Sequence, residues 1–187
     1  MSNQVLETIQ KRRSHRRYLS MQLNQEQLDA VLAAALQSPS GMNGQPWHFS
    51  VVQDESLLES INAAAHKQTA LLDPELRSPR FKDPAFDVFY HAPTVILISA
   101  SGTHYAEVDC GIAVQSIALA GESLGLGSVI VALARHAFEG PEGPEFERKL
   151  GFPAGCHFVI SIAIGFPDDD KPAHPINGEK VTLIRGQ

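Results

Sequence analysis

Apolar residues recur along this chain in two patterns, a spacing of three to four residues and short runs that alternate or are continuous. The first pattern predicts helices and the second predicts strands. Predicted helices extend over about Asn3 to Arg12, Gln25 to Gln37, the residues after Asp54, Tyr105 to Leu124, and Glu145 to Leu150. Predicted strands extend over Trp47 to Gln53, Thr94 to Ser99, Ser128 to Ala132, and His157 to Ile164. This order of elements predicts an α+β fold with helices flanking a mixed central β-sheet.

Local signals mark the ends of two of these helices. Asn24 is a typical N-cap, and Gln27 three residues later can complete a capping box. Pro39 cannot continue a helix, so the second helix must end before it. Gly125 lies where the long helix that precedes it would need a residue with a positive φ angle. These signals support the predicted bounds.

The long helix before Gly125 is rich in small residues, among them Gly111, Ala113, Ala120 and Gly121. Small side chains allow another backbone to approach closely. A helix with so little bulk of its own must pack against a close neighbour. We therefore expect this helix at a homodimer interface.

Two stretches lack a regular pattern. Residues 71–90 contain three prolines, scattered charges and aromatic residues, and they are predicted to form a long irregular connection. Such a connection can cover a site as a lid or can be a tolerated surface insertion, and the sequence leaves both open. The second stretch is the tail after Phe166, which is predicted to be extended. Its apolar residues Val181 to Ile184 need a surface to pack against.

Length and composition limit the possible classes of protein. A chain of 187 residues can form one domain with a substantial core, so we expect a single domain over residues 1–187. The net charge of −6 argues against a nucleic-acid partner. Two distant cysteines give neither a disulfide framework nor metal-ligand spacing, and no apolar run approaches the roughly 20 residues that span a bilayer. We therefore expect a cytoplasmic protein without a metal or a membrane partner.

Against this acidic background, five of the seven residues from Lys11 to Arg17 are lysine or arginine. This basic segment (residues 11–17) predicts a bound anion, because guanidinium groups match phosphate and carboxylate oxygens. The alternatives are a solvated helix end and a nuclear-type basic patch. Cations suit the carboxyl end of the first helix, but a helix end does not account for Arg16 and Arg17. A second stretch, the polar loop (residues 38–46), has its backbone set by proline and glycine and presents polar side chains.

The basic segment and the polar loop together resemble the FMN-dependent nitroreductase family. In that family an RRSxR segment is followed by a PSxxNxQPW loop, and this chain has matching residues from Arg12 to Arg16 and from Pro39 to Trp47. The resemblance continues through Ala118 to Ala120, Gly125 to Ser128 and Ile164 to Pro167. It therefore spans most of the chain.

This resemblance implies a nitroreductase-like fold in an intertwined homodimer with shared active sites, and FMN as the cofactor. NADH or NADPH would be the electron donor in a ping-pong hydride mechanism. A small molecule such as a nitroaromatic compound or a quinone would be the electron acceptor. Because the chemistry resides in the flavin, no catalytic side chain is implied.

The flavin-binding positions of the family transfer to several parts of this chain. By resemblance, residues 12–14 contact the phosphate and Arg16 faces the pyrimidine edge of the ring. Residues 39–43 would contact the flavin of the other subunit, and residues 125–128 would supply backbone donors near the ring. The implied set is Arg12, Arg13, Ser14, Arg16, Pro39, Ser40, Gly41, Asn43, Gln45, Gly127, Ser128 and Lys171.

The chain departs from the family pattern in two places. Some relatives have two basic residues in the tail that both reach the phosphate, and here Lys171 matches the first while Ala173 occupies the second position. Some relatives also have a basic residue in the region 60–80, for which Lys67 is only a candidate. The acidic run 168–170 is expected to be a solvated turn rather than a metal site. The contribution of the tail to phosphate binding is left open.

Other activities are compatible with the same sequence. A specialised flavin enzyme of this family, such as a dehalogenase or a flavin-fragmenting enzyme, and a non-catalytic flavin-binding protein are alternatives. A serine hydrolase is a weaker one, because Gly121 to Gly125 match G-x-S-x-G with a helix before Ser123 and a strand after it. That order is the reverse of a nucleophile elbow. The sequence indicates neither the physiological acceptor nor a preference between NADH and NADPH.

Overall fold

The structure, a computed structural model, describes residues 2–102 and 104–186. Its α-helices span Gln4–Lys11 (α1), Gln25–Leu36 (α2), Glu55–Thr69 (α3), Ala106–Ser123 (α4), Arg135–Glu139 (α5) and Gly143–Lys149 (α6). Its strands span Trp47–Val52 (β1), Thr94–Ser101 (β2), Gly127–Val131 (β3) and Cys156–Gly165 (β4). Every predicted helix and strand is confirmed within a few residues. The helix that was not predicted is α5, which is too short to show a period.

The strands form one sheet in the order β1-β2-β4-β3, and each neighbouring pair is antiparallel. The α+β class is thus confirmed, but the expectation of a mixed sheet is wrong for these four strands. Continuous apolar runs indicated strands buried on both faces, a property that is common in parallel sheets. Here helices cover both faces of an antiparallel sheet, so the same pattern arises without parallel pairing.

Each face of the sheet has its own core. Ile96 and Ile98 of β2 belong to a cluster with the apolar faces of α2 and α4. Val95 and Leu97, which point to the opposite face, pack with α3, α5 and α6 and with the end of the irregular connection. Successive residues of β2 therefore alternate between two cores, which explains why the whole strand is apolar.

The end of α4 fixes the position of β3. Gly125 has a φ angle of 75° and donates its N–H to the carbonyl of Glu122 at 3.1 Å, and Leu126 N–H reaches the carbonyl of Gly121 at 2.9 Å. This pair of bonds is the Schellman arrangement, which ends a helix and reverses the chain. The predicted role of Gly125 is confirmed, and β3 begins two residues later.

The small residues of α4 have two different roles. Ala113 is fully buried, and a Cβ on Gly121 would lie 3.0 Å from Ile164, so both positions allow close packing within this chain. Gly111 instead faces outward, and no atom within residues 2–102 and 104–186 lies within 4 Å of a Cβ added there. Ala113 and Gly121 thus serve packing within one chain, and the expected place of α4 at a homodimer interface stays a prediction. Although α4 has 18 residues, none of the helices in the two described ranges is long and apolar enough to cross a bilayer.

The connection between α3 and β2 is irregular, as predicted. It contains two short 3₁₀ helices, Pro74–Leu76 and Pro79–Lys82. Its end is anchored in the core by Val88 and Phe89, which are almost fully buried. Whether the more exposed part before them acts as a lid stays a prediction.

Candidate functional site

The basic segment continues from α1 as an extended stretch along the edge of the sheet. His15 donates its backbone N–H to the carbonyl of Ser128 at 3.0 Å, and Ser14 forms an isolated parallel bridge with Ser128. Tyr18 bridges Pro167 in the antiparallel sense and donates its hydroxyl to the carbonyl of His15 at 2.8 Å. β3 and the residues after β4 therefore fix the direction of this segment.

Extended backbone directs successive side chains to opposite sides. Arg13 and His15 point to the tail, where they meet Pro172 and Asp169. Their neighbours at positions 12, 14 and 16 are accordingly expected on the other side. The alternation divides the basic segment into a set that contacts the tail and a set that is available to a ligand.

Arg13 belongs to the first set. It is 7% exposed and donates from Nε to the carbonyl of Pro172 at 2.8 Å and from Nη2 to the carbonyl of Gln10 at 2.6 Å. Nη1 reaches the carbonyl of Arg12. A guanidinium bonded to three backbone carbonyls fastens the tail to the end of α1. This geometry does not support the phosphate contact predicted for Arg13.

Arg16 is incompletely paired. Its Nη1 donates to the carbonyl of Ser14 at 3.3 Å, and its guanidinium carbon lies 5.6 Å from the centroid of the Tyr90 ring. Its Nε is buried and has no hydrogen-bond partner within the described part of the chain. Buried donors are nearly always paired, so this one indicates a place for an acceptor atom from elsewhere.

Two residues near Arg16 were missed from the sequence. Tyr90 contacts Arg16, and the guanidinium carbon of Arg80 lies 5.6 Å from the same ring. No periodicity could have indicated them, because both lie in the irregular connection. Lys67, the candidate basic residue of this region, is placed in an exposed ion pair with Glu142 at 2.6 Å. The structure thus puts Arg80, rather than Lys67, against the Tyr90 ring that Arg16 also contacts.

The tail brings Lys171 and Asp169 to the basic segment. Lys171 Nζ lies 2.6 Å from the carbonyl oxygen of Ser14 and 3.0 Å from Asp169 Oδ2. Burial disfavours the charge of Asp169, but bonds from His15, Lys171 and the Arg16 N–H outweigh it and lower the pKa of this carboxyl to about 2. The expectation of a solvated turn is wrong for Asp169, since its side chain is only 9% exposed.

Gly127 and Ser128 are the residues of β3 that contact the basic segment. A Cβ on Gly127 would lie 2.8 Å from Pro167 and 2.9 Å from His15, so the segment can approach β3 only at a glycine. Ser128 is buried and its carbonyl is bonded to His15. The predicted contacts of these two residues with a flavin stay a prediction.

The polar loop is tied to α4. Ser38 Oγ donates to Ser116 Oγ at 2.7 Å, and the N–H of Gly41 lies 3.1 Å from a carboxylate oxygen of the buried Asp109. Within the loop, Ser40 Oγ accepts the N–H of Gln45 at 2.9 Å. These bonds hold the loop in one shape on the surface.

The loop also has an unusual backbone. Met42, Asn43 and Gln45 have φ angles of 51°, 55° and 43°, which non-glycine residues adopt at a cost of about 1–3 kcal/mol each. Met42 is 99% exposed, and the side chains of Pro39 and Asn43 also face outward. A strained, fixed and exposed polar loop is typical of a segment that contacts a ligand or a partner.

One chain does not bring the loop and the basic segment together. Trp47, the first residue of β1, pairs with Ala100 near the end of β2. Ser128 of β3 is instead level with Thr94, the first residue of β2, because both pair with Ile164 of β4. The polar loop (residues 38–46) and the basic segment (residues 11–17) therefore lie at diagonally opposite corners of the sheet. Standard strand dimensions separate them by about 20 Å along the strands and about 14 Å across them.

Ser123 has the surroundings of a helix end. It is exposed and donates its hydroxyl to the carbonyl of Ala120 at 2.7 Å, and the chain then turns into β3. A nucleophile elbow needs a strand before its serine and a helix after it. The structure has the reverse order, so the hydrolase alternative is wrong.

Comparison with known proteins gives one consistent result. The chain matches the model of the Nitroreductase family over residues 9–166. A putative NADH dehydrogenase/NAD(P)H nitroreductase from Methanothermobacter thermautotrophicus is 35% identical, and the match covers 80% of this chain and 78% of the relative. An iodotyrosine deiodinase from Thermotoga neapolitana is 29% identical over 92% of this chain and 94% of its own.

Solved structures agree with this match. The crystal structure of a nitroreductase with bound FMN from Desulfitobacterium hafniense has a TM-score of 0.92 to this chain and is 34% identical. The superposition covers 99% of this chain and 100% of that protein. The resemblance seen in the sequence is therefore confirmed along the whole fold.

Proposed function

The chain belongs to the nitroreductase family, and on that premise we propose that it is an FMN-dependent oxidoreductase. It takes hydride from NADH or NADPH and reduces a small electrophile such as a nitroaromatic compound or a quinone. The observation that supports this function most directly is the incompletely paired guanidinium of Arg16. A structural neighbour of high similarity contains bound FMN.

The residues on the ligand side of the basic segment fit the polar parts of FMN. Arg12 and Ser14 offer a guanidinium and a hydroxyl, which suit phosphate oxygens, and Lys171 adds an ammonium group 2.6 Å from the Ser14 carbonyl. The incompletely paired guanidinium of Arg16 suits the pyrimidine edge, where negative charge develops on reduction. The flavin, when bound, supplies the hydride chemistry. These side chains bind and orient it.

The polar loop completes the site of a second copy of this chain. Within one chain the loop and the basic segment are too far apart to contact the same flavin ring. A two-fold symmetric dimer can bring the loop of one copy to the basic segment of the other. Shared sites of this kind would explain why the loop is held rigid and exposed.

Exposed apolar side chains support association with a second copy. They occur on α1, on the outward face of α4 and in the tail, and several exceed 60% exposure: Val5, Val108, Ile176, Val181, Leu183 and Ile184. Exposed apolar side chains that group into a patch usually mark an interface. We propose that a homodimer covers them.

The deiodinase relative favours one alternative within the same class. An enzyme that uses reduced FMN to dehalogenate an aromatic substrate would need the same cofactor site, and the match to that relative covers 92% of this chain. A non-catalytic flavin-binding protein would share the flavin site but would not catalyse the reduction of an acceptor. The acceptor distinguishes these alternatives, because the residues that hold the flavin are common to all.

An anaerobic reduction experiment tests the proposal. We expect purified protein to be yellow with non-covalent FMN, and NADH or NADPH to bleach it. A panel of a nitroaromatic compound, a quinone and an iodinated tyrosine should then restore the colour with different rates. A colourless protein that takes up no FMN would contradict the proposed function. Bound FMN that neither NADH nor NADPH reduces would contradict the enzymatic role.

A further inference from the structure

Three consecutive carboxylates follow β4, and the middle one differs from its neighbours. Asp168 and Asp170 are more exposed, whereas the side chain of Asp169 is only 9% exposed. Burying a carboxylate is unfavourable unless hydrogen bonds and opposite charges compensate for the lost water. The partners of Asp169 therefore indicate its role.

Asp169 is connected to three consecutive residues of the basic segment. Its Oδ1 lies 2.5 Å from His15 Nδ1, and its Oδ2 accepts the backbone N–H of Arg16 at 3.3 Å. Oδ2 also pairs with Lys171 Nζ at 3.0 Å, and Lys171 donates to the carbonyl of Ser14 at 2.6 Å. One carboxylate thus fixes the backbone from Ser14 to Arg16, either directly or through Lys171.

This arrangement places a negative charge beside a segment that is proposed to bind an anion. Coulombic repulsion alone would weaken the binding of a phosphate there. The contacts of Asp169 offset this repulsion by fixing the backbone of the segment, because the direction of a side chain follows from its backbone. A fixed backbone at Ser14 and Arg16 gives their side chains one direction, toward the ligand side.

We propose that Asp169 is a positioning residue of the flavin site, which orients Ser14 and Arg16 without touching the flavin itself. This inference rests on the proposed function, since it requires FMN to bind beside Arg16. It also assigns a role to His15, whose side chain links the carboxylate to the middle of the segment.

A pair of isosteric substitutions tests the inference. Asp169→Asn removes the charge and part of the bonding, and Asp168→Asn removes the same charge from a more exposed neighbour. FMN titration of the apoproteins should show a dissociation constant at least about tenfold higher for Asp169→Asn, the loss expected for charge-assisted bonds. Asp168→Asn should leave the constant unchanged or lower it, because a lost negative charge favours an anion. Equal constants for the two variants would overturn the inference.

A double-mutant cycle separates positioning from a general loss of structure. Once Arg16→Ala has removed one of the two groups that Asp169 orients, Asp169→Asn should raise the dissociation constant by a smaller factor than in the wild-type background, since part of its effect passes through Arg16. An undiminished effect in that background would contradict the inference. If Asp169→Asn does not fold, His15→Gln breaks the same link from the other side. It should weaken FMN binding likewise, and an unchanged constant would contradict the proposal.

The outcomes distinguish this inference from the function on which it rests. A wild-type protein that binds no FMN would contradict the proposed function. A wild-type protein that binds FMN, together with an Asp169→Asn variant that binds it equally well, would contradict only the role of Asp169.

Discussion

At the scale of single residues, Arg16 is a charged side chain whose pairing within the described part of the chain is incomplete. Its Nε is buried without a partner among the described residues, while Nη1 makes one long bond of 3.3 Å to Ser14. A buried unpaired donor costs about 1–3 kcal/mol, and more when it is charged. Such a cost is typical of binding sites, where the ligand supplies the missing acceptor.

Replacing Arg16 should therefore separate binding from stability. We expect Arg16→Leu to weaken FMN binding by about 1.5–3 kcal/mol, the value of a charge-assisted hydrogen bond. The melting temperature of the apoprotein should not fall, because the substitution removes an unsatisfied donor. Flavin titration and thermal unfolding measure the two effects, with Arg17→Leu at the exposed neighbouring position as the control. A lower melting temperature with unchanged FMN affinity would make Arg16 structural.

Asp169 gives a pH dependence whose sign is fixed by its contacts. Its pKa is about 2 in the folded protein, below the ordinary value of 3.8, so the unfolded state takes up the proton first. The stabilisation, on the order of 2 kcal/mol, is complete above about pH 4 and is lost as the pH falls toward 2. The melting temperatures of wild type and Asp169→Asn should thus differ at neutral pH and converge near pH 2. A difference that persists unchanged in acid would contradict this assignment.

At the scale of elements, the site depends on the close contact between the basic segment and β3. Gly127 is the point of closest approach, because Pro167 and His15 both have atoms less than 3.0 Å from the position that a Cβ would occupy there. The segment, β3 and the residues after β4 therefore pack as one unit. Any added atom at position 127 must move His15, which bonds to Asp169.

We expect Gly127→Ala to destabilise the protein by about 1–3 kcal/mol, the usual cost of overpacking. FMN affinity should fall as well, because the displaced His15 disturbs the backbone beside Arg16. Gly102→Ala is the matched control, since no atom of the described residues lies within 4 Å of a Cβ added there. Chemical denaturation and flavin titration measure both effects. If Gly127→Ala has the unfolding free energy and the FMN affinity of the wild type, the basic segment does not depend on this contact.

The elements were predictable from the sequence where local signals define them. The capping box of Asn24 and Gln27 and the turn at Gly125 depend on residues a few positions apart, and both are present. The different roles of Arg13 and Arg16 could not be predicted, because the carbonyl that holds Arg13 lies 159 positions away at Pro172. Partners that distant along the chain are known only once the tail is placed.

At the scale of the whole molecule, the sheet gives the reason for proposing that the site is divided between two copies. The polar loop precedes β1 at one edge, and the basic segment lies along β3 at the other. The polar loop is bonded to α4 through Asp109. The outward face of the same helix exposes Val108 and Ile112. The surface that would meet a partner therefore adjoins the loop that would reach the partner's flavin.

A charge on this face should separate the copies. Gly111 faces outward, so Gly111→Arg places a bulky cation on α4 without disturbing this chain's core and favours the helix. Ala113 would be an unsuitable position, since it is fully buried in the chain's own core. We expect folded monomers that lose FMN, as measured by light scattering and flavin absorbance after size exclusion. Ser60→Arg on the exposed side of α3 should remain dimeric. A Gly111→Arg dimer with full FMN would place the interface elsewhere.

The most direct test of the shared flavin site mixes two defective variants. Arg16→Ala impairs the basic segment and Asn43→Ala impairs the polar loop, so each variant alone should bind FMN weakly. In a mixed dimer, one site combines the intact segment of one copy with the intact loop of the other. After the subunits are exchanged, the account predicts recovery of tight FMN binding and NAD(P)H oxidation at up to about a quarter of all sites, given random two-fold pairing. Mixed dimers with no recovery would contradict a site shared between two copies.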